Sequence, residues 1–226
     1  MEKTNLFKKK YGILLDTETI MHEGKTLVYD VAWMVIDNQG NILSRHNYIV
    51  DEVFNNFPAM FDSHFVTYDK YQTYQTMLQS AKVESHSIRR ILRWLSRAII
   101  GNDISFITAY NLGFDLRALK ETAQYFDVCN PLEARADNLI FLDLWKLSQS
   151  HIATKPYQKH CQVHGWLTEK RKQPKTTAET VYRWISKDDN FIESHTALAD
   201  CEIEVVIYRK CKQKKKRIPD NAYLTY

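Results

Sequence analysis

Residues 11–19 have the sequence YGILLDTET. Their apolar part, Tyr11 to Asp16, is typical of a buried strand that ends in a carboxylate. Side chains alternate along a strand, so Asp16 and Glu18 are expected on the same face. Two adjacent carboxylates repel each other unless a cation lies between them, and Mg²⁺ characteristically takes one or two carboxylate ligands. A D-x-E pattern alone is more often a solvated strand end, so the rest of the chain has to decide between the two interpretations.

The composition is that of an ordinary soluble globular protein. The 226 residues are 44% hydrophobic and 26% charged, with only 6 Gly and 5 Pro, which disfavours long linkers and low-complexity architecture. We expect no membrane segment, because no apolar run approaches the ~20 residues of a membrane span. We also expect no secretory signal, because residues 1–10 contain no apolar core. The 4 cysteines are too few and too scattered for a disulfide framework. These features predict a cytoplasmic protein.

The net charge of +4 conceals an asymmetry. Residues 209–217, RKCKQKKKR, carry seven positive charges and no negative one, so the remainder of the chain is mildly acidic. Such a run either attracts phosphate groups or is a solvated tail, and the run by itself favours the tail. The chain is predicted to form a single domain over residues 1–213, followed by a basic C-terminal tail over 214–226.

Further strands are expected on both sides of a long middle segment. Residues 28–36 and 42–50 are joined by the turn sequence NQGN and predict a hairpin, while 104–110 and 139–142 are short and strand-like. Three strands, then strands alternating with helices, then helices alone indicate an α/β domain with a mixed five-stranded sheet. The expected helices cover 88–99, which begins after the capping residue Ser87, and 114–126, 144–151, 157–164, 176–187 and 196–213.

Residues 51–80 are an aromatic-rich insertion. Their aromatic residues recur at helical spacings of three and four, although Pro58 predicts a break near the start. The rings either pack on the sheet or on a partner subunit, or they form a platform on which unpaired bases stack. Helical spacing favours packing. The residues concerned are Phe54, Phe57, Phe61, Phe65, Tyr68, Tyr71 and Tyr74.

Two later segments also contain candidate metal ligands, and they bear on the interpretation of Asp16 and Glu18. The sequence NLGFD, ending in Asp115, follows a strand and opens a helix, where an acid often only stabilises the helix dipole. The sequence HTALAD, from His195 to Asp200, opens the last helix. On one helix these two side chains would point about 140° apart, so they converge only if His195 lies in the preceding loop. Otherwise they are an ordinary residue at a helix start and a surface acid.

In this order, DTET at 16–19, AYNLGFDL at 109–116 and HTALAD at 195–200 resemble the three motifs of the DEDDh superfamily of 3′-to-5′ exonucleases. This is the DnaQ-like or RNase T-like group, and the segment 177–200 is similar to its small free-standing bacterial and phage members. The motifs span most of the chain, and none of the five motif residues is replaced. Residues 51–80 and the chain after about 213 match no motif of the group.

The resemblance implies a ribonuclease-H-like fold with strand order 3-2-1-4-5. It implies that Asp16 bridges two Mg²⁺ or Mn²⁺ ions, that Glu18 and Asp200 hold one of them, and that Asp115 holds the other. His195 would be the general base. Two metals 3.5–4 Å apart suit phosphodiester cleavage, since they stabilise both the attacking and the leaving oxygen. Thr17, Thr19 and Ile20 would contact the 3′-terminal nucleotide.

The implied activity is metal-dependent hydrolysis of nucleic acid from a free 3′ end, releasing nucleoside 5′-monophosphates. The alternatives are a proofreading subunit of a separate polymerase and a non-catalytic nucleic-acid-binding or adaptor protein on the same fold. In this setting the basic run favours phosphate contact. The sequence decides neither DNA against RNA nor a monomer against a homodimer.

His160 and His164 are spaced four apart on a predicted helix and offer a zinc-binding face. No C-x-x-C motif and no ordered set of further ligands accompanies them. The sequence therefore favours ordinary helix surface, with Gly165 as the residue that ends the helix.

Overall fold

The computed structural model describes residues 11–62, 66–213 and 218–226. Their centre is a mixed seven-stranded sheet with strand order β4-β3-β2-β1-β5-β6-β7. The two long central strands are antiparallel, and β5 and β6 continue the sheet in parallel with β1. The strands are β1 (Tyr11–His22), β2 (Lys25–Asp37), β3 (Ile42–Val50), β4 (Glu84–His86), β5 (Ile104–Ala109), β6 (Ile140–Asp143) and β7 (Tyr223–Leu224).

The hairpins that build the sheet follow from local turn chemistry. Glu23 and Gly24 both have positive φ, which gives the tight turn between β1 and β2. Asp37 accepts hydrogen bonds from the backbone N–H groups of Gln39 and Asn41, and these bonds form the predicted turn into β3. β1 extends past the expected end at Asp16, so the acidic motif lies within the strand.

The prediction of five strands was wrong in number. The five expected strands lie in the expected relative order, and a short strand is added at each edge. β4 has three residues and β7 has two, and such strands carry no periodicity that a sequence can reveal. They exist because β3 and β6 offer unpaired edges for the chain to cover.

Helices cover both faces of the sheet. Ile13 and Leu15 of β1 pack with the earlier helices, whereas Leu14 packs with the later ones. The first group contains α1 (Asp51–Phe54), α2 (Phe57–Asp62), α3 (Tyr68–Gln79), α4 (Ile88–Gly101), α5 (Leu112–Tyr125) and α6 (Pro131–Ala134). The second contains α7 (Leu144–Ile152), α8 (Lys155–Val163), α9 (Ala178–Ser186) and α10 (Ala197–Gln213). Among the described residues, no helix is long and apolar enough to cross a membrane.

The aromatic insertion forms three helices rather than one, and most of its described rings pack inward. Phe54 stacks on Tyr71 at 4.8 Å, and Tyr74 meets Tyr29 of β2 edge to face at 5.5 Å. The break expected near Pro58 is present, because α1 ends at Phe54 and α2 begins at Phe57, so that Pro58 lies in the first turn of a new helix, where proline is tolerated. Tyr68 remains largely exposed. Phe65 and the side chain of Phe57 lie outside the described residues.

The basic run does not form one solvated segment in the part that the structure describes. Residues 209–213 complete α10, where Arg209 donates a hydrogen bond to the Gly40 carbonyl and Lys212 is buried. Beyond 214–217, which lie outside the described residues, the chain returns to the sheet as β7. There Tyr226 packs against Phe141 of β6.

Candidate metal centre

The centre is built around Asp16 and Glu18 of β1. Pairing of β1 with β5 ends at Leu14, so the segment that follows lies at an open edge between two strands. Asp16 and Glu18 alternate with Thr17 and share the face of Leu14, which α10 covers. Ligand sites in α/β sheets characteristically form at such a point, where neighbouring strands lead off in different directions.

Asp115 reaches this edge from the opposite face of the sheet. Asn111 adopts the left-handed conformation after β5, with φ of 68°, so that α5 starts at once and its first turn carries Asp115. One carboxylate oxygen of Asp115 accepts hydrogen bonds from the Thr17 backbone N–H at 3.1 Å and from the Thr17 hydroxyl at 2.8 Å. Thr17 therefore anchors Asp115 beside Asp16, and this anchor was not predicted.

Asp200 comes from the first turn of α10. Its carboxylate oxygens approach those of Asp16 and Glu18, and one ligand atom from each of the three residues lies within 4.8 Å of the other two. Oδ1 of Asp200 is buried without a hydrogen-bond partner among the described residues. A buried carboxylate oxygen without a donor is costly, and a metal ion is one way to satisfy it.

His195 lies in the loop before α10, as convergence with Asp200 requires. It has a left-handed φ of 53°, and its side chain is 64% exposed. Its Nδ1 lies 3.5 Å from Oε2 of Glu193. Glu193, His195 and Asp200 form a second group of ligand atoms within 4.8 Å of one another. The structure thus brings together all five residues singled out in the sequence.

Glu193 was not singled out from the sequence. Glu193 and His195 are two residues apart, the same spacing as that of Asp16 and Glu18. Glu204 was also missed. It is buried one turn after Asp200 on α10 and accepts a hydrogen bond from the Tyr110 N–H at 3.0 Å.

Asp30 of β2 holds two of the surrounding helices by hydrogen bonds, and this role was likewise not predicted. Its Oδ2 accepts hydrogen bonds from the Tyr74 hydroxyl at 2.6 Å and from the backbone N–H of Ala197 at 3.0 Å. Because Ala197 is the first residue of α10, this bond fixes the start of the helix that carries Asp200. Burial raises the pKa of Asp30 to about 7.

Burial and mutual repulsion govern the electrostatics of the acids. Burial, followed by the charge of neighbouring carboxylates, raises the pKa of Asp16 well above its usual range. Burial is also the main cause that raises the pKa of Asp115 to about 7 and that of Asp200 to about 8. Lys70 of α3 offers partial compensation through an ion pair with Glu18, with Nζ 2.8 Å from Oε2. The site is therefore short of positive charge.

These observations fit divalent cations. The donors are carboxylate oxygens, which Mg²⁺ and Mn²⁺ prefer, and they include the unpartnered oxygen of Asp200. Asp16, Glu18, Asp115 and Asp200 together supply enough negative charge for two divalent ions.

A cavity of about 740 Å³ opens beside the acids. Its wall includes residues from β1, from α3 and from the loop before α10. Thr17, Thr19 and Ile20 line it, as expected of residues that contact a bound ligand. Lys70, Phe114 and His195 line it as well.

No family model matches this sequence, and no curated protein matches it. Solved structures that share the fold include E. coli exonuclease I in a zinc-bound complex with single-stranded DNA, at a TM-score of 0.61 and 13% identity over 93% of this chain. They also include apo exonuclease I at 0.59 and 12%, and its complex with a dA16 oligonucleotide at 0.59 and 14%. This chain spans about two fifths of those chains, 42%, 42% and 41% respectively. The likeness confirms the ribonuclease-H-like fold.

Without divalent cations, stability should fall as the pH rises. The raised pKa values of Asp115 and Asp200 mean that the folded chain binds more protons than the unfolded chain between about pH 4 and pH 8. The resulting stabilisation is complete below the unfolded pKa and is lost as the pH passes the folded values. We expect the Tm in chelator to decrease over this range, and Mn²⁺ to restore it near pH 8 because the ion binds ionised carboxylates.

Thermal unfolding across this pH range, with and without Mn²⁺, measures the effect. Asp200→Asn should flatten the decline and weaken the Mn²⁺ response. Glu202→Gln is the matched control, because its exposed side chain lies on the same helix two residues further along. A Tm that is insensitive to both pH and Mn²⁺ in the unmutated chain would contradict the electrostatic argument.

Proposed function

We propose that this protein is a metal-dependent nuclease that removes nucleotides from the 3′ end of single-stranded DNA or RNA. The observation that carries the proposal is the convergence of Asp16, Glu18, Asp115, Asp200 and His195 beside a cavity that Glu18 and His195 line. The fold agrees with it, since the matched structures include exonuclease I bound to oligonucleotides.

Asp16, Glu18, Asp115 and Asp200 would hold two Mg²⁺ or Mn²⁺ ions. When bound, such ions stabilise negative charge on the attacking and leaving oxygens of the phosphodiester. The chain itself fixes their positions. Thr17 orients Asp115, and the hydrogen bond from Ala197 to Asp30 sets the start of the helix that carries Asp200.

His195 is the general base in this proposal. Glu193 lies beside Nδ1, which leaves Nε2 as the nitrogen that accepts a proton from the attacking water. The water oxygen forms the new bond to phosphorus while the bond to the 3′ oxygen of the preceding nucleotide breaks, releasing a nucleoside 5′-monophosphate. The exposure of His195 at the mouth of the cavity suits a base that meets solvent and substrate in turn.

In this proposal, the aromatic insertion takes part in substrate binding through Lys70. The helix α3 is held against the sheet by Tyr71 and Tyr74, and this packing places Lys70 at Glu18 and on the cavity wall. Once cations neutralise the carboxylates, the ammonium group is available to a phosphate of the bound strand. The buried rings of the insertion therefore contribute to binding of the nucleic-acid strand by positioning the Lys70 ammonium group.

The first test uses 5′-labelled single-stranded DNA and RNA of identical sequence, with Mg²⁺, Mn²⁺ or chelator. We expect products that shorten stepwise from the 3′ end only when a divalent ion is present, and nucleoside 5′-monophosphate as the released product. Asp16→Asn should abolish the ladder, while Glu202→Gln should retain it. Comparison of the two strands identifies the preferred sugar.

Metal-independent binding without cleavage of either strand would reject the nuclease and support the adaptor alternative. Cleavage confined to mismatched 3′ ends of duplex DNA would instead support the proofreading alternative.

His195→Ala should lower turnover by at least about 100-fold, the usual contribution of a general base. Oligonucleotide affinity and the rise in Tm with Mn²⁺ should persist, because the carboxylates remain. Steady-state kinetics and fluorescence anisotropy separate the two effects. His86→Ala is the matched control, since His86 also lies beside a carboxylate, that of Glu84 at 2.9 Å. Turnover near normal in His195→Ala would exclude its role as base.

Lys70→Gln should weaken oligonucleotide binding and reduce the slope of log affinity against log salt by about 1, as loss of one phosphate contact predicts. Lys210→Gln serves as the control for the basic run, because Lys210 is exposed on α10. If Lys70→Gln leaves the slope unchanged and Lys210→Gln reduces it, Lys70 does not contact phosphate and the basic run does.

A further inference from the structure

His160 and His164 acquire a third partner from a distant part of the chain. Asp189 follows α9, and its carboxylate faces Nε2 of both imidazoles. Nε2 of His160 is 3.1 Å from Oδ1 of Asp189, and Nε2 of His164 is 3.6 Å from Oδ2. The sequence favoured ordinary helix surface because no ordered ligand set accompanies the histidines. That interpretation did not include Asp189, which only the tertiary structure brings to them.

Local backbone geometry explains why the three side chains meet. α8 ends at Val163, with His164 as its C-cap and Gly165 in the left-handed region, as predicted. The Trp166 N–H donates to the Cys161 carbonyl and the Gly165 N–H to that of Gln162, which is the usual hydrogen-bond pattern of a glycine-terminated helix. This ending holds His160 and His164 on one side of the last turn. Their ring centroids are 4.3 Å apart.

Two tryptophans form the wall behind the histidines. The His160 ring is 5.0 Å from the rings of both Trp166 and Trp184, and the His164 ring is 4.8 Å from that of Trp166. The wall restricts the imidazole rotamers and excludes water from one side. The side chains of His160, His164 and Asp189 are 20%, 32% and 38% exposed, so the other side is open to an ion from solvent.

We propose that His160, His164 and Asp189 bind a zinc ion. Two imidazole nitrogens and one carboxylate oxygen are typical zinc ligands, whereas Mg²⁺ prefers oxygen alone. Ligand atoms at about 2.0–2.1 Å from zinc in a tetrahedral site lie about 3.3–3.4 Å from one another. Each imidazole lies close to this distance from one of the two Asp189 oxygens, and one ligand atom from each of the three residues lies within 4.8 Å of the other two. Side-chain rotation that brings these atoms together would accommodate the ion. Water would complete the coordination.

The ion would join α8 to the segment that leads to the candidate metal centre. Asp189 precedes Glu193 by four residues and His195 by six. The same segment is already attached to α9, because Arg183 donates to the Phe191 carbonyl at 2.7 Å and Glu179 accepts from the Glu193 N–H at 3.2 Å. A zinc ion at Asp189 would add a third attachment. Zinc binding itself does not depend on the proposed nuclease activity.

The test measures zinc directly. An Asp200→Asn background removes the residue that the two ligand groups of the candidate metal centre share, and so weakens zinc binding there. After removal of metal with chelator, we expect this protein to bind one Zn²⁺ per chain. With Co²⁺ in place of Zn²⁺, the absorption spectrum should be that of a four-coordinate site with nitrogen and oxygen ligands.

His164→Asn and Asp189→Asn in the same background should each lower zinc affinity at least about tenfold. Asp188→Asn and His86→Asn should leave it unchanged, since one is the adjacent acid and the other a histidine beside an unrelated carboxylate. Circular dichroism verifies that each variant is folded.

Absence of bound zinc in the background protein would overturn the proposal. So would a zinc affinity in His164→Asn and Asp189→Asn equal to that of the background protein. Because no readout involves nucleic acid, these results are independent of the outcome of the nuclease assay.

Discussion

Repulsion among buried carboxylates is the constraint on which this site depends. Asp16, Asp115 and Asp200 come from β1, α5 and α10. Hydrogen bonds from Thr17 hold Asp115, whereas one oxygen of Asp200 is buried without a partner among the described residues. Burial at this edge of the sheet raises the pKa of all three. A fold that gathers such groups is stable either with protons on them or with cations between them. Divalent cations bound as we propose would therefore contribute to folding stability as well as to the proposed chemistry.

A second, smaller network keeps the surrounding elements in register. Asp30 accepts one hydrogen bond from Tyr74 of the insertion and another from the first residue of α10. A single buried carboxylate thereby links β2 to two helices that are far apart in sequence. Through this link, the packing of the aromatic rings determines where Lys70 and Asp200 stand relative to each other.

Much of the fold was predictable because it rests on local patterns. The five longer strands, the turn at Asp37 and the end of α8 at Gly165 follow from apolar runs and turn residues. The two edge strands were not predictable, since two or three residues carry no pattern and pair only where an edge is exposed. The aromatic insertion was correctly predicted to pack and to contain a break near Pro58, whereas the positions of its three helices were not predicted.

The sequence by itself singled out the five candidate residues of the site, because its three motifs in this order resemble those of a known exonuclease superfamily, whereas residue type and spacing left each motif open to an ordinary interpretation. Only the tertiary structure decided which groups meet. Glu193 and Glu204 join the acids, Lys70 reaches Glu18 across more than fifty residues of chain, and the Asp189 carboxylate comes to face His160 and His164. The physical reason is that spacing constrains neighbours within one strand or helix, whereas contacts between elements depend on how the whole sheet and its two helical layers pack.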